Sequence, residues 1–285
     1  MFRTLVNIEA SSSKINYQDA VMTLGSCFSE NIGKKLQNAY FEVDINPFGV
    51  LFNPVSVAKS IQLMLDNKQF TEDDLFQNGS LFYSFAHSTL FSGSNAEETL
   101  ARMNQRMELA IDNLQKAQYL ILTFGTAWVY EYKGEVVSNC HKLPSSSFQR
   151  CRLTVDEIVS NYDQLIQRLR VQFPELQIIF TVSPIRHWKD GAHENTLSKA
   201  ILHLAVEELQ HLFPFVSYFP AYEIQLDELR DYRFFSADMF HPSEVAVDYI
   251  WKRFSDLYFS AETQQLLVKL EKLAQQINHR SIHPE

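Results

Sequence analysis

The stretch Ala20-Val21-Met22-Thr23-Leu24-Gly25 (residues 20–25) sets the pattern for the chain. Its apolar run stops at Gly25, as is typical of a short buried strand that ends in a turn. Similar runs recur at residues 41–45, 119–124, 177–182 and 216–219. Segments with helical spacing separate these runs, so we predict an α/β fold with a five-stranded parallel sheet, right-handed crossovers and helices on both faces, a three-layer α/β/α sandwich.

Helices and hairpins fill the rest of the chain. Asn78-Gly79 lies between apolar flanks, the strongest short hairpin signal, and Lys133-Gly134 turns a second hairpin. Thr154 and Glu157 form a capping box that predicts the start of a helix. The helices are predicted over residues 30–39, 54–66, 96–116, 154–173, 195–212, 245–258 and 262–277. We expect a single domain over residues 1–285 with hairpin insertions at about 67–95 and 129–150 and a C-terminal helix at 262–278.

Composition and charge exclude several classes of function. The formal net charge of −9 argues against a nucleic-acid partner and gives no support for binding to an anionic membrane. The negative net charge is more compatible with a neutral or cationic substrate than with a polyanion, although the charge at a binding site can differ in sign from the net charge. The 3 cysteines follow no metal spacing and form no even disulfide set, and no run reaches about 18 apolar residues. A cytoplasmic protein is expected; the oligomeric state is left open.

Polar and small residues collect where the predicted strands end. Ligands of open parallel sheets bind beyond the carboxyl ends of the strands, so these residues are expected along one rim. In chain order they are Gly25-Ser26-Cys27-Phe28-Ser29, Gly49, Gly125-Thr126, Ser183-Pro184-Ile185-Arg186-His187 and Asp238-Met239-Phe240-His241-Pro242.

Two of these groups permit nucleophilic catalysis. A serine at a strand-to-helix turn, such as Ser26, presents its hydroxyl beside the free N–H groups of a helix N-terminus, although an N-cap serine is the commoner role. Asp238 and His241, three residues apart on a turn, can lie side by side, so that the carboxylate orients the imidazole to accept a proton from a serine. A surface Asp and His near a helix start is the alternative.

The combination of motifs resembles the GSCFA-domain family of the SGNH/GDSL hydrolase-like superfamily. The signature itself is Leu24-Gly25-Ser26-Cys27-Phe28, and the likeness runs from about Thr23 to about Tyr258. The other matching motifs are Asn46-Pro47-Phe48-Gly49, Asn139-Cys140-His141-Lys142, Ser183-Pro184-Ile185-Arg186 and Asp238-Met239-Phe240-His241-Pro242. The resemblance implies a flavodoxin-like SGNH hydrolase fold, with Ser26 as nucleophile, His241 as base and Asp238 as the group that orients the base.

The sequence departs from the superfamily pattern in its third block, usually G-x-N-D. Gly125-Thr126-Ala127-Trp128 has no Asn there, so the usual side-chain donor to an oxyanion is missing. The backbone N–H groups of Ser26 and Gly49 are expected to serve, with Asn139 as the first substitute donor and Thr126 as the second. Asn139 bonding its own loop backbone is the alternative.

Several other residues bear on the predicted site. Arg186 and His187 are candidates for binding substrate oxygens, with a solvent-exposed loop as the alternative, and His141 is expected to line the site. A nucleophile at Cys27 is disfavoured, because a free cysteine is usually a small buried hydrophobe. No His spacing supports a metal site, and no cofactor is expected. The aromatic candidates for an apolar or sugar-stacking cleft are Phe48, Phe124, Trp128 and Tyr130, with core packing favoured for Phe124.

We therefore predict a serine esterase that acts on a small O-acyl substrate, such as an acetylated carbohydrate. Two alternatives stay open. An O-acyltransferase would use the same residues with a different acceptor, and a site that excludes water would favour it. A catalytically silent carbohydrate-binding protein would explain the missing Asn of the third block. A small-molecule partner is expected in each case.

Overall fold

The computed structural model describes residues 4–9, 11 and 13–278. In chain order its strands are β1 (Ala20–Gly25), β2 (Val43–Ile45), β3 (Phe76–Asn78), β4 (Leu81–Tyr83), β5 (Ala117–Phe124), β6 (Trp128–Tyr132), β7 (Glu135–Val137), β8 (Gln149–Arg152), β9 (Gln177–Val182) and β10 (Val216–Phe219). Its α-helices are α1 (Cys27–Asn38), α2 (Pro54–Leu65), α3 (Ala96–Lys116), α4 (Val155–Gln172), α5 (Gly191–Leu212), α6 (Ala221–Glu223), α7 (Glu244–Tyr258) and α8 (Ala261–Asn278).

The five predicted core strands form one parallel sheet. Their order is β10-β9-β5-β1-β2, so the first strand in sequence lies inside the sheet and the chain winds outward from it in both directions. In the register, Gly25 pairs with Thr123 and Phe124 pairs with Val182, which brings the carboxyl ends of β1, β5 and β9 to one rim. The predicted fold class is confirmed.

Helices cover both faces of the sheet, and each face has its own apolar core. One cluster combines α1 and α7 with the sheet through residues such as Phe28, Ile32, Ile250 and Phe254. The other combines α2 to α5 with the opposite face, through residues such as Val57, Met107, Leu165 and Leu202. This burial on both sides explains why the strands read as continuous apolar runs rather than as alternating ones.

Two helices begin earlier in the chain than predicted. The first was expected from residue 30, but α1 begins at Cys27, because the Ser26 side chain caps it. The fifth was expected from Asn195, but α5 begins at Gly191. The capping box of Thr154 and Glu157 is confirmed. Sequence analysis missed β8 and the short helix α6, which a π-helical turn at Ile224–Glu228 continues.

The two insertions make small sheets outside the main one. Both predicted hairpins, β3–β4 and β6–β7, are confirmed, and β8 pairs with β6 to make a three-stranded sheet in the order β7-β6-β8. Aromatic side chains join the two insertions, with Phe85 in contact with both Phe76 and Tyr132. Among the described residues, no helix has the length and apolar character that crossing a bilayer requires.

Candidate functional site

Ser26 lies at the junction between β1 and α1. Its Oγ accepts a hydrogen bond of 3.3 Å from the Phe28 N–H, which caps α1, and its own N–H donates to the Thr123 carbonyl at 3.2 Å. The residue is 2% exposed. Among the described residues the hydroxyl proton has no acceptor, so the hydroxyl remains free to donate to a base.

Gly25 gives Ser26 its position, and no other residue type fits there. Its φ is +135°, and a Cβ would lie 2.1 Å from the Thr123 carbonyl oxygen of the neighbouring strand. The side chain of Asn46 accepts a 3.0 Å hydrogen bond from the Gly25 N–H, which ties the loop after β2 to the end of β1. The Asn46-Pro47-Phe48-Gly49 motif thus supports the strand end that carries Ser26.

Asp238 and His241 form a hydrogen-bonded pair on the loop before α7. The Asp238 Oδ2 lies 2.6 Å from His241 Nδ1, and its Oδ1 accepts the N–H groups of Phe240 and His241 at 2.9 and 3.0 Å. Met239 takes a left-handed φ of 63° between them, and the Ser236 N–H closes the loop on the His241 carbonyl. The carboxylate therefore fixes both the loop and the imidazole, and His241 Nε2 has no partner in the described part of the chain.

The same hydrogen bonds keep Asp238 ionised. The N–H groups of His241 and Phe240, followed by the His241 ring, lower the pKa of the Asp238 carboxyl to about 2. A carboxylate that accepts several N–H bonds favours its charged form. The group that orients His241 is therefore an anion at any pH above about 3.

The segment after β9 connects the His241 loop with the rim that carries Ser26. The rings of Trp188 and Phe240 are in contact, with centroids 5.5 Å apart. His187 and His241 are the sequence neighbours of these two residues, so the contact joins the segments that carry the two histidines. The His187 Nε2 lies 3.3 Å from the place where a Cβ on Gly125 would be. Gly125 follows β5 directly, on the strand that neighbours β1 at a typical spacing of about 4.8 Å.

Leu51 and Phe52 tie these strand ends together. The Leu51 N–H donates to the Gly25 carbonyl at 2.8 Å, and the Phe52 carbonyl accepts the Gly125 and Thr126 N–H groups at 2.8 and 3.0 Å. Two consecutive residues thus bridge the ends of β1 and β5. No hydrogen bond joins Ser26 to His241 within the part of the chain that the structure describes.

His187 is an uncharged group at neutral pH. Burial is the main cause that lowers the pKa of His187 to about 4, and the Lys199 ammonium adds to it. His241 and Arg150 lower the pKa further, while Asp190 opposes the shift. A neutral imidazole carries one N–H donor and one acceptor, so His187 offers either at the rim.

A buried lysine fixes the two strand ends beneath His187. The Lys199 Nζ donates to the carbonyls of Gly125 and Ser183, both at 2.7 Å. Burial lowers the pKa of Lys199 to about 7, with Arg186 as a lesser cause. Sequence analysis missed this residue, since a lysine inside a helical segment gives no local signal of burial.

The two backbone donors predicted for an oxyanion are both occupied. The Gly49 N–H donates to the Asn46 carbonyl at 2.7 Å, and the Ser26 N–H has the Thr123 carbonyl as its acceptor. The glycine at position 49 instead serves close packing: its φ is +76°, and a Cβ would lie 1.9 Å from the Ser88 Oγ. The prediction that these two groups are free donors needs correction, because turn and strand carbonyls already accept them.

Thr126 and Asn139, the two predicted substitute donors, line one cavity but differ in what they offer. The Thr126 Oγ1 lies 3.1 Å from the Ser198 Oγ and accepts the Trp128 N–H at 3.1 Å, so it is engaged in the fold. The Asn139 Oδ1 accepts the His141 N–H at 2.8 Å, which matches the loop role left open by the sequence. Its amide nitrogen has no hydrogen-bond partner among the residues that the structure describes.

Arg186 and His141 lie elsewhere than expected. The Arg186 guanidinium folds back on the start of α5, 3.4 Å from both the Ala192 carbonyl and the Thr196 hydroxyl. His141 is 2% exposed; its Nε2 lies 2.9 Å from the Ser84 carbonyl, and its ring packs among aromatic side chains of the first insertion. His141 therefore presents no face to a substrate, which corrects the prediction that it lines the site.

The remaining candidates give no competing centre. Burial, with a smaller effect of Glu30, raises the pKa of Cys27, so this residue stays a thiol at neutral pH. His87 is buried against Phe48, and burial is the main cause that lowers its pKa to about 3. The described residues contain no group of three or more His, Cys, Asp or Glu side chains placed to hold a metal ion.

A cavity of about 290 Å³ opens at this rim. Its wall is made of residues that follow β5 and β9, together with one face of the β7-β6-β8 sheet. The lining residues are Phe52, Asn53, Thr126, Trp128, Tyr130, Val137, Ser138, Asn139, Cys140, Arg150, His187, Lys189 and Asp190. Of the predicted cleft aromatics, Trp128 and Tyr130 line it, whereas Phe48 and Phe124 are buried in the core.

A larger cavity of about 640 Å³ lies between the two insertions, beside Phe76 and Tyr132. None of Ser26, Asp238 and His241 lines either cavity. The smaller cavity borders the candidate site through His187 and Thr126, which follow β9 and β5.

Comparison with known families gives a match over most of the chain. The model of the GSCFA family matches residues 20–254. The chain belongs to the GSCFA family. The match spans both Ser26 and the Asp238–His241 pair, so the resemblance inferred from the motifs is confirmed. A search of curated proteins found no match.

Several solved structures are similar in fold. A family 3 carbohydrate esterase of Clostridium thermocellum has a TM-score of 0.36 at 13% identity, over 88% of this chain and 98% of that one. A family 3 carbohydrate esterase of Talaromyces cellulolyticus has a TM-score of 0.36 at 11% identity, over 88% and 99% of the two chains. We draw no functional conclusion from likenesses this distant.

Proposed function

We propose that this GSCFA protein is a serine hydrolase that cleaves small O-acyl esters. Ser26 is the nucleophile, His241 the general base and Asp238 the group that orients it. The observation that carries the proposal is the Asp238–His241 pair at 2.6 Å, on a loop whose Phe240 contacts Trp188 of the segment after β9. Family membership supports the same assignment.

The reaction proceeds in two balanced steps. The Ser26 Oγ bonds to the ester carbonyl carbon while its proton passes to His241 Nε2. The bond between that carbon and the alcohol oxygen then breaks, and the alcohol leaves with the proton from His241. A water molecule, deprotonated by His241, releases the acyl group as an acid and restores the Ser26 hydroxyl. Asp238, an anion throughout, stabilises the charged imidazolium.

His187 supplies the oxyanion donor that the third block lacks. Its ring lies above Gly125, beside the strand end of Ser26, and it is neutral at working pH, so it can offer an N–H without adding a charge. The Ser26 and Gly49 N–H groups and the Thr126 hydroxyl already have partners. A preorganised neutral donor is well suited to stabilise charge that develops only in the transition state.

Replacing His187 by Phe is expected to lower kcat about 100-fold, since one lost donor costs about 3 kcal/mol of transition-state stabilisation. His187→Gln, which keeps an N–H, should recover part of that loss. Steady-state hydrolysis of p-nitrophenyl acetate measures both variants. His193→Phe changes an exposed histidine at the start of α5 and serves as the control. Equal activity of His187→Phe and His193→Phe would exclude the donor role.

The decisive test is reaction with a fluorophosphonate probe, which modifies activated serines. We expect a single adduct, located by mass spectrometry on Ser26 in the peptide that also contains Cys27 and Ser29. An adduct on Cys27, or no adduct on natively folded protein, would refute the assignment. The latter result would favour the silent binding protein.

Hydrolysis is preferred over acyl transfer because the base is open to water. The side chains of His241 and Asp238 are 50% and 46% exposed, and a site that transfers acyl groups must keep water out. Acetate release from an acetyl ester should therefore proceed without a sugar acceptor.

A further inference from the structure

We infer that the 290 Å³ cavity binds the alcohol part of the substrate and selects an anionic sugar, one that bears a carboxylate or a phosphate. This inference rests on the proposed function, because it names the substrate class of the same site. The inferred ligand is an anion although the net charge of the chain is −9, which by itself disfavours acidic ligands.

The charges that line the cavity give it a local positive sign. Arg150 and Lys189 are its two cations, and Asp190 is its one anion. Asp190 forms an ion pair with Arg150, so it compensates only that cation. Lys189 has no carboxylate partner among the described residues; its Nζ donates to the Tyr130 hydroxyl at 3.2 Å. One ammonium at the cavity is thus left for an anion of the ligand.

The sheet face behind these cations fits a sugar ring. Trp128 and Tyr130 are alternate residues of β6 and therefore lie on one face, where apolar ring surface can meet the C–H groups of a sugar. Arg150 pairs with Tyr130 in the register, and its guanidinium lies 4.3 Å from the centre of the Trp128 ring. This stacking holds the cation at the wall of the cavity rather than in solvent.

Polar groups complete the wall. The amide nitrogen of Asn139 has no hydrogen-bond partner among the described residues, and Ser138 also lines the cavity, whereas the Asn53 side chain is engaged with Ser56 at the start of α2. A long acyl chain would need an apolar wall, whereas hydroxyl groups need such donors and acceptors. The volume of about 290 Å³ lies just below the range of about 300–1,000 Å³ for small-molecule sites, which suits one sugar unit. Contact with His187 and Thr126 keeps this unit beside the rim of Ser26.

Binding can be tested without catalysis in the full chain carrying Ser26→Ala. Glucuronic acid, glucose 6-phosphate and glucose are titrated by calorimetry, and at least one anionic sugar should bind about tenfold more tightly than glucose. A preference for glucuronic acid alone assigns a carboxylate, and a preference for glucose 6-phosphate alone assigns a phosphate. Equal affinity for all three, or no binding at all, would overturn the inference.

Variants at the free lysine test the residue directly. Adding Lys189→Glu should abolish the preference for the anionic sugar, whereas Lys189→Arg should keep it. Lys269→Glu, an exposed lysine of α8, makes the same change in net charge and should leave the preference intact. A preference that survives Lys189→Glu would show that Lys189 does not bind the anion.

The kinetic counterpart separates this inference from the proposed function. With native Ser26, the ratio of kcat/KM for acetylated methyl glucuronide to that for acetylated methyl glucoside should fall about tenfold in Lys189→Glu. If neither ester is cleaved but the anionic sugar still binds, the proposed function fails and the anion site stands. If both esters are cleaved equally and binding shows no preference, the anion site fails and the hydrolase stands.

Discussion

Replacing Ser26 by Ala is expected to lower kcat for ester hydrolysis by at least about 10⁴-fold, because the hydroxyl that forms the acyl intermediate is gone. The protein should remain folded, since position 26 accommodates Ala without adding volume. The loss of the N-cap hydrogen bond to Phe28 should reduce the free energy of unfolding by about 1 kcal/mol. Both quantities can be measured on one preparation, by p-nitrophenyl acetate turnover and by urea unfolding.

A second helix cap provides the control for this variant. Thr154 caps α4 through its side chain, as Ser26 caps α1, but α4 carries none of the proposed catalytic groups. Thr154→Ala should therefore lose a similar free energy of unfolding while keeping its kcat. If Ser26→Ala retains more than about a tenth of the wild-type kcat, Ser26 is not the nucleophile. Activity that then disappears in Cys27→Ala would assign the neighbouring thiol.

Replacing Asp238 by Asn is expected to lower kcat by about 10³- to 10⁴-fold with a much smaller change in KM. The amide oxygen can still accept the N–H groups of Phe240 and His241, so the loop should keep its shape. Its nitrogen donates to His241 Nδ1, which places the ring proton on Nε2 and removes the base that Ser26 needs. Electrostatic support for the imidazolium is lost as well.

A control variant shows whether the loss of kcat is specific to Asp238. Asp231→Asn changes a nearby exposed aspartate that caps a turn through the Arg233 N–H but has no histidine partner among the described residues, so its kcat should be unchanged.

Since hydrogen bonds lower the pKa of Asp238 to about 2, its carboxylate contributes stability above the unfolded pKa of about 4 and loses it only as pH falls towards 2. An inflection of wild-type kcat near pH 4 that vanishes in Asp238→Asn would contradict this assignment of the pKa.

The sequence predicted the features that depend on neighbours in the chain. The strand at residues 177–182 and the helix at 96–116 have the predicted bounds, because continuous apolar runs and helical spacing reflect burial directly. The contact between Asp238 and His241 joins residues three apart, so a turn is enough to make it. Both hairpins likewise depend on short turns.

Long-range contacts decided the features that were missed. The Ser26 N–H was expected to be a free donor, yet the Thr123 carbonyl of the neighbouring strand accepts it, and the approach of Ser88 explains the glycine at position 49. His141 is enclosed by aromatic side chains of the first insertion, more than 50 residues away in sequence. Lys199 reaches the carbonyls of two strand ends. None of these partners is visible from local composition.

By itself the sequence determined the alternation of five core strands with helices along the chain, the position of Ser26 at the end of the first strand, and Asp238 and His241 as its candidate partners. The tertiary structure alone decided that His187 lies above Gly125 and that Lys189 and Arg150 share one cavity wall. The physical reason is the range of the interactions. Strand burial, helix caps and turns act over a few residues, whereas the chemistry of a cavity depends on which distant segments the packed sheet brings together.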